Sequence, residues 1–129
     1  MDAEQLVKRA LEARAHAYAP YSHFKVGAAL LAAGGSVFTG CNVENATYGL
    51  TVCAERVALW KALSEGERQF VRIAIASASE RPAPPCGACR QLLWEFCRDI
   101  EVILGNTSGF RESHRLADLL PKPFDSSFL

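Results

Sequence analysis

FVRIAIASASERPAPPCGACRQLLWEFCRDIEVIL, residues 70–104, decides the fold. Phe70 to Ala76, with Val71, Ile73 and Ile75, is rich in β-branched residues and reads as a strand. Pro82, Pro84 and Pro85 then mark a rigid connection. Cys86 to Phe96 places Leu92, Leu93 and Phe96 on one side of a helix, and Glu101 to Leu104 is a second short strand. Strand, helix and strand at this spacing form a β-α-β unit, which needs parallel strands and a right-handed crossover.

The same unit repeats upstream. Val37 to Val43 reads as a strand, Asn45 to Leu50 as a loop, and Thr51 to about Leu63 as a helix with Val57, Leu59, Trp60 and Leu63 in helical rhythm and Gly66 as its stop. Lys25 to Ala32 precedes it, and Gly34-Gly35 between the two apolar runs signals a hairpin. Asp2 and Gln5 make a capping-box-like pair ahead of a first helix from about Ala3 to Ala17, closed by Ala19-Pro20. The tail from Gly105 is polar except for a short helical piece near Leu116–Leu120. The order is α-β-β-α-β-α-β. Two consecutive crossovers put their helices on one face of the sheet, and the first helix covers the other. The expected fold class is α/β: a three-layer α/β/α sandwich with a mixed β-sheet, in a single domain over residues 1–129. Ligands in such sheets bind at the carboxyl ends of the strands, the rim where Cys53 and Cys86 fall.

Bulk properties narrow the function. Half of the 129 residues are hydrophobic, enough for a packed core without disulfides. Fourteen basic and fourteen acidic side chains cancel, which disfavours a nucleic-acid partner, favours a small uncharged substrate and leaves self-association open. The N-terminus has neither the basic nor the apolar region of a signal peptide, and no stretch approaches the roughly 20 apolar residues of a membrane span. A cytoplasmic protein is expected, in which five cysteines serve as metal ligands or small buried residues.

Cys53 opens one helix, and Cys86 and Cys89 open another. Two cysteines three apart can reach one ion from the same side, and the third comes from the neighbouring helix start. Three protein ligands leave a zinc ion a fourth position for water, as in catalytic sites. Helix N-termini favour the thiolate form. Three thiolates and one zinc sum to −1, an excess that Arg56 is placed to offset by hydrogen-bonding the sulfurs, with Arg90 as an assistant. Glu55, two residues from a ligand, can move protons without binding metal. Cys₃ ligands, a non-ligand Glu and a P-C-x-x-C segment are the pattern of zinc deaminases.

The sequence resembles the cytidine/deoxycytidylate deaminase family, in its short, three-cysteine form. The resemblance rests on Ala19-Pro-Tyr-Ser-His-Phe-Lys-Val-Gly-Ala-Ala-Leu30, Gly40-Cys-Asn-Val-Glu-Asn-Ala-Thr-Tyr-Gly49, Cys53-Ala-Glu-Arg56 and Pro85-Cys-Gly-Ala-Cys-Arg-Gln91. It fades in the tail, where only Leu119-Leu120-Pro121 and Phe124 match. It implies hydrolysis of cytidine or 2′-deoxycytidine to uridine or 2′-deoxyuridine and ammonia, as in pyrimidine salvage, with one zinc per subunit. It also implies that Phe24 stacks on the pyrimidine, that Asn42 and Glu44 bond the sugar hydroxyls, and that Ala54 offers backbone hydrogen bonds to the base. Phe124, together with Ala46 and Tyr48, would approach the pocket of a neighbouring subunit in a homotetramer; Phe128 competes with Phe124 for that role.

Other readings stay open at this point. Cys53, Cys86 and Cys89 could be buried small residues or a structural zinc knuckle, which makes a non-catalytic zinc-stabilised assembly module the alternative from another class. A deaminase of the same fold could act on another amine, such as blasticidin S. Cys41 and Cys97 read as structural, with Cys41 as a possible fourth ligand to check. His16, His23 and His114 lack ligand spacing and read as surface or loop residues.

Overall fold

A computed structural model describes residues 1–129. The capping box forms as the sequence requires: the Asp2 carboxylate accepts from the Gln5 N–H and the Gln5 side chain accepts from the Asp2 N–H, opening α1 (Ala3–Arg14). α1 ends three residues before the expected Ala17. The chain leaves the helix because Tyr18 forms a parallel bridge to Val43, its N–H donating to the Asn42 carbonyl, which fixes the turn before Pro20 is reached.

β1 (Val26–Ala32) and β2 (Val37–Cys41) pair antiparallel across the Gly34-Gly35 turn, where Gly35 takes φ +100°, a left-handed conformation that suits glycine. α2 (Ala54–Ser64), β3 (Phe70–Ser77), α3 (Gly87–Cys97) and β4 (Glu101–Asn106) follow. β5 (Arg111–Arg115) and α4 (Leu116–Leu119) occupy the tail, with 3₁₀ turns at Tyr48–Leu50 and Ser126–Phe128. The sheet order is β2-β1-β3-β4-β5. β1 is antiparallel to both β2 and β3, so β2 and β3 run the same way, and β3 is parallel to β4. Both crossovers therefore join parallel strands.

One core lies between the sheet and α2/α3, built from Leu30, Ile73, Ile75, Val102, Leu59 and Leu93. The other packs Leu6, Val7 and Ala10 of α1 against Ala29, Ala74 and Ile103. The mixed three-layer α/β/α sandwich is thus the observed fold.

Three details differ from the sequence reading. β5 is an additional edge strand within what reads as a polar tail; Arg111-Glu-Ser-His-Arg115 has no apolar face, and its pairing rests on backbone bonds to β4. α2 starts at Ala54 rather than Thr51, because Val52 is held in an antiparallel bridge to Val43. Its buried face is Ala54, Ala58, Leu59 and Ala62, while Trp60 turns outward and meets Phe96 edge-on at 6.3 Å. The small alanines face the sheet because α2 runs directly over Gly40: a Cβ there would stand 2.6 Å from Ala54 O and from Ala58 N.

Candidate active site

The N-termini of α2 and α3 meet at the strand-end rim. Cys53 is the N-cap of α2, and its side chain makes no capping bond, so its thiol is free to turn to the rim. Cys86 is the N-cap of α3 and accepts from the Cys89 N–H at 3.5 Å. The Sγ atoms of Cys53, Cys86 and Cys89 lie within 4.8 Å of one another. Tetrahedral zinc, with Zn–S bonds of about 2.3 Å, spaces its sulfurs about 3.8 Å apart. The three cysteines therefore fit such an ion with little movement. Cys41 stands in β2 opposite Gly27, outside this cluster.

Charge at the cluster follows from its neighbours. The Cys53 thiol is lowered to about 6, first because Cys89 donates a hydrogen bond to it and then through the charge of Arg56. Cys89, the donor of that bond and largely buried, is pushed in the opposite direction. The pair thus shares one readily lost proton and one held proton, and a bound metal takes both sulfurs as thiolates. Arg56 faces the three sulfurs, chiefly Cys89, and they raise its own pKa well above the usual arginine value. Hydrogen bonding to Cys89 comes first among the causes and the charges of Cys89 and Cys53 follow, while the Nε is buried with no hydrogen-bond partner. Arg90 does something else: its Nε donates to Pro85 O at 2.9 Å and its Nη1 to Leu119 O at 2.9 Å. It anchors the peptide just before Cys86 to the end of α4, in place of the charge-offsetting role expected from its position.

Glu55 is only 5 % exposed, in the first turn of α2 beside Cys53. Burial pushes its carboxyl up to about 7, and the charge of Cys53 adds to the shift. A carboxyl poised there can both take and give a proton near neutral pH.

A cavity of about 250 Å³ opens beside this group, just below the roughly 300–1,000 Å³ of typical small-molecule sites. Cys53, Ala54, Glu55 and Cys86 line it together with Phe24, Asn42 and Glu44. Asn42 and Glu44 thus face the same side, as their alternation in an extended segment requires. Both are already engaged. Asn42 Oδ1 accepts from Val26 N at 2.9 Å and its Nδ2 donates to Phe24 O at 2.8 Å. Glu44 Oε1 accepts from the N–H groups of Tyr21 and Ser22, both at 3.0 Å, and Oε2 accepts from the Ser22 hydroxyl. These bonds, led by Ser22, hold the Glu44 carboxyl below its usual range.

Ala46, Tyr48 and Phe124 do not line the cavity. Ala46 is exposed. Tyr48 stands edge-on to Tyr21 at 5.8 Å, beside a shallow recess that shares Glu44 with the cavity. Phe124 stacks on Phe128 at 5.5 Å, and both rings face solvent. The sequence reading missed Ser22, Val26, Thr51, Val52, Ile75, Ala83 and Pro84 as cavity residues. Ser22 had a signal, since it sits in the Pro-Tyr-Ser turn beside Phe24; Ile75 reads only as core. A wider groove of about 690 Å³ lies between α1 and the β4–β5 turn, but it holds neither a cysteine nor a buried carboxylate.

Residues 1–105 match the family model for the cytidine and deoxycytidylate deaminase zinc-binding region. The chain belongs to this family. Within it, the chain is 54% identical over 125 residues to cytidine deaminase of Halalkalibacterium halodurans, covering 96% of this chain and 95% of that one. It is 42% identical to cytidine deaminase of Mycobacterium tuberculosis strain H37Rv, covering 96% of this chain and 90% of that one. The crystal structure of cytidine deaminase from Burkholderia pseudomallei superposes with a TM-score of 0.93 at 50% identity, covering 96% of this chain and all of that one. The deaminase family model is a zinc-binding one, in keeping with the three-sulfur cluster.

Proposed function

We propose that this chain is a zinc-dependent hydrolase that converts cytidine and 2′-deoxycytidine, with water, to uridine and 2′-deoxyuridine and ammonia. The observation that carries this reading is Glu55, buried beside three clustered cysteines and lining one cavity with Phe24, Asn42 and Glu44. The relatives named cytidine deaminase support the substrate.

Cys53, Cys86 and Cys89 would hold the zinc, which when bound would supply Lewis acidity toward the attacking water. Glu55 takes one proton from that water and passes it to N3 of the ring as the oxygen bonds to C4; it then takes the second proton from that oxygen and passes it to the amine, which leaves as ammonia when the C4–N bond breaks. A carboxyl near 7 suits both directions of transfer. Phe24 stacks on the pyrimidine. Ala54 stands at the first helical position of α2, where the N–H has no partner within the helix and is free for the base edge. A carboxylate offers about four acceptor sites. Three on Glu44 are filled, which leaves one on Oε2 for a single sugar hydroxyl. Asn42 keeps one unused N–H for the same sugar.

Ala46, Tyr48 and Phe124 fit a homotetramer in which neighbouring subunits complete each site; their exposure away from the cavity of their own chain supports this. No helix is long and apolar enough to cross a membrane, and the five free thiols suit a reducing cytoplasm.

The test is the ultraviolet absorbance change of cytidine, cytosine and blasticidin S on adding the zinc-loaded protein. Turnover of cytidine, with cytosine turned over poorly, is expected. Turnover of blasticidin S alone would move the assignment to another amine, and no turnover of any with zinc bound would favour an assembly module.

A further inference from the structure

Residues 21–24 carry Phe24 to the cavity without belonging to any strand or helix. The turn includes His23 at φ +58°, a left-handed conformation uncommon for a residue with a side chain. A turn of that kind persists only where its surroundings hold it. Four bonds hold its outer part: the N–H groups of Tyr21 and Ser22 to Glu44 Oε1, the His23 N–H to Ala19 O, and the Ser22 hydroxyl to Glu44 Oε2. At its inner end, Phe24 O accepts from Asn42 and the Phe24 N–H donates to Ser22 Oγ at 3.0 Å. Ser22 is the one side chain that touches both Glu44 and the Phe24 backbone.

We propose that Ser22 is a positioning residue for substrate binding: its hydroxyl, donating to Glu44 and accepting from the Phe24 N–H, fixes the separation between the sugar-binding carboxylate and the base-stacking ring. This rests on the reading above that Glu44 and Phe24 touch the nucleoside. The geometry explains why the hydroxyl matters on both sides. It fills one of the two acceptor directions of Oε2, so the one remaining site on Glu44 points in a set direction. It also satisfies the Phe24 N–H, adding a second tie to the one that Asn42 makes at Phe24 O. The turn keeps three further backbone bonds without Ser22, so the loss falls on the pocket rather than on the fold.

The test compares Ser22→Ala, Ser22→Thr, Phe24→Ala, Glu44→Gln and the double variant Ser22→Ala/Phe24→Ala in the zinc-loaded protein, reading KM, kcat and Tm for cytidine. Ser22→Ala is expected to raise KM about tenfold, the effect of about 1.4 kcal/mol, with kcat and Tm close to wild type. Ser22→Thr, which keeps the hydroxyl, should restore most of the affinity. The double variant should lose less than the sum of the two single losses, because the part of the Ser22 effect that passes through Phe24 is already gone, while the part through Glu44 remains. A KM unchanged in Ser22→Ala while Phe24→Ala and Glu44→Gln both raise it would overturn the role of Ser22 alone. Unchanged KM in Phe24→Ala and Glu44→Gln would overturn the pocket reading and the role of Ser22 with it. A Tm loss shared equally by the Ala and Thr variants would make Ser22 a merely structural residue and refute the proposal.

Discussion

Gly40→Ala should loosen the site from beneath. Gly40 lies in β2 under the first turn of α2, and an added Cβ would stand 2.6 Å from Ala54 O, 2.6 Å from Ala58 N and 2.9 Å from Val57 Cβ. Ordinary contacts begin near 3.4 Å. Two of these neighbours are helix backbone, which has no free end to swing aside, so α2 must withdraw by most of an ångström. Overpacking of this kind costs about 1–3 kcal/mol. Removing a glycine from the unfolded chain returns about 0.4–1 kcal/mol, which leaves a net loss of about 1–2 kcal/mol. At a urea m-value of roughly 1–3 kcal/mol/M, the unfolding midpoint should fall by about 0.5–1 M. The first turn of α2 carries Cys53 and Glu55, whereas Cys86 and Cys89 sit on α3. A shift of that size separates the two ligand groups, and misplacement by about an ångström can lower turnover about 10²-fold. Urea melts and cytidine turnover measure both effects. Gly34→Ala is the control: nothing stands within 4 Å of its Cβ, so it should stay within about 0.5 kcal/mol of wild type. A Gly40→Ala protein with wild-type midpoint and turnover would refute the argument that this close approach sets the site.

Arg56→Ala should lower zinc affinity about 10–100-fold, read as faster loss to a chelator, because it removes the charge that faces the three sulfurs; unchanged retention would contradict that role. Cys97, whose thiol burial pushes up to about 12, should resist iodoacetamide at pH 8 in the folded protein after metal removal, while the exposed Cys86 is labelled. Equal labelling rates would count against its burial. Asp125 is held at about 2 by bonds from Ser127 and Trp94. A carboxyl lowered on folding contributes stability above its unfolded value of about 3.9 and loses it as pH falls through the folded value. The tail should therefore release from α3 as pH drops from about 4 to 2, followed by the Trp94 indole N–H resonance; a resonance that does not move in that window would contradict the latch.

Much of the architecture can be read from local chemistry. The Asp2/Gln5 pair, the Gly34-Gly35 turn and the cysteines at the helix starts each leave a signature of a few residues, and each stands where that signature implies. β5 is invisible for a physical reason: an edge strand of Arg, Glu, Ser and His buries no apolar face, so it has no periodicity to detect. Trp60 misleads in the opposite sense, since a large apolar residue suggests the core whereas α2 packs through small alanines over Gly40. In the site, the residue types of the metal cluster are legible because C-x-x-C and Cys-Ala-Glu are contiguous. The bonds that fix Phe24, Asn42, Glu44 and Arg90 join residues far apart in the chain, and these emerge only from the fold.

The central claim is that Glu55 is the proton carrier of a zinc deaminase, and Glu55→Gln tests it most directly. The glutamine keeps the shape and burial of the side chain but cannot accept or return a proton. Zinc content and cytidine turnover should be measured on the same preparation. The account predicts zinc at the wild-type level and turnover lower by about 10²–10⁴-fold, the usual contribution of a general acid–base group. Turnover near wild type with zinc in place would contradict it.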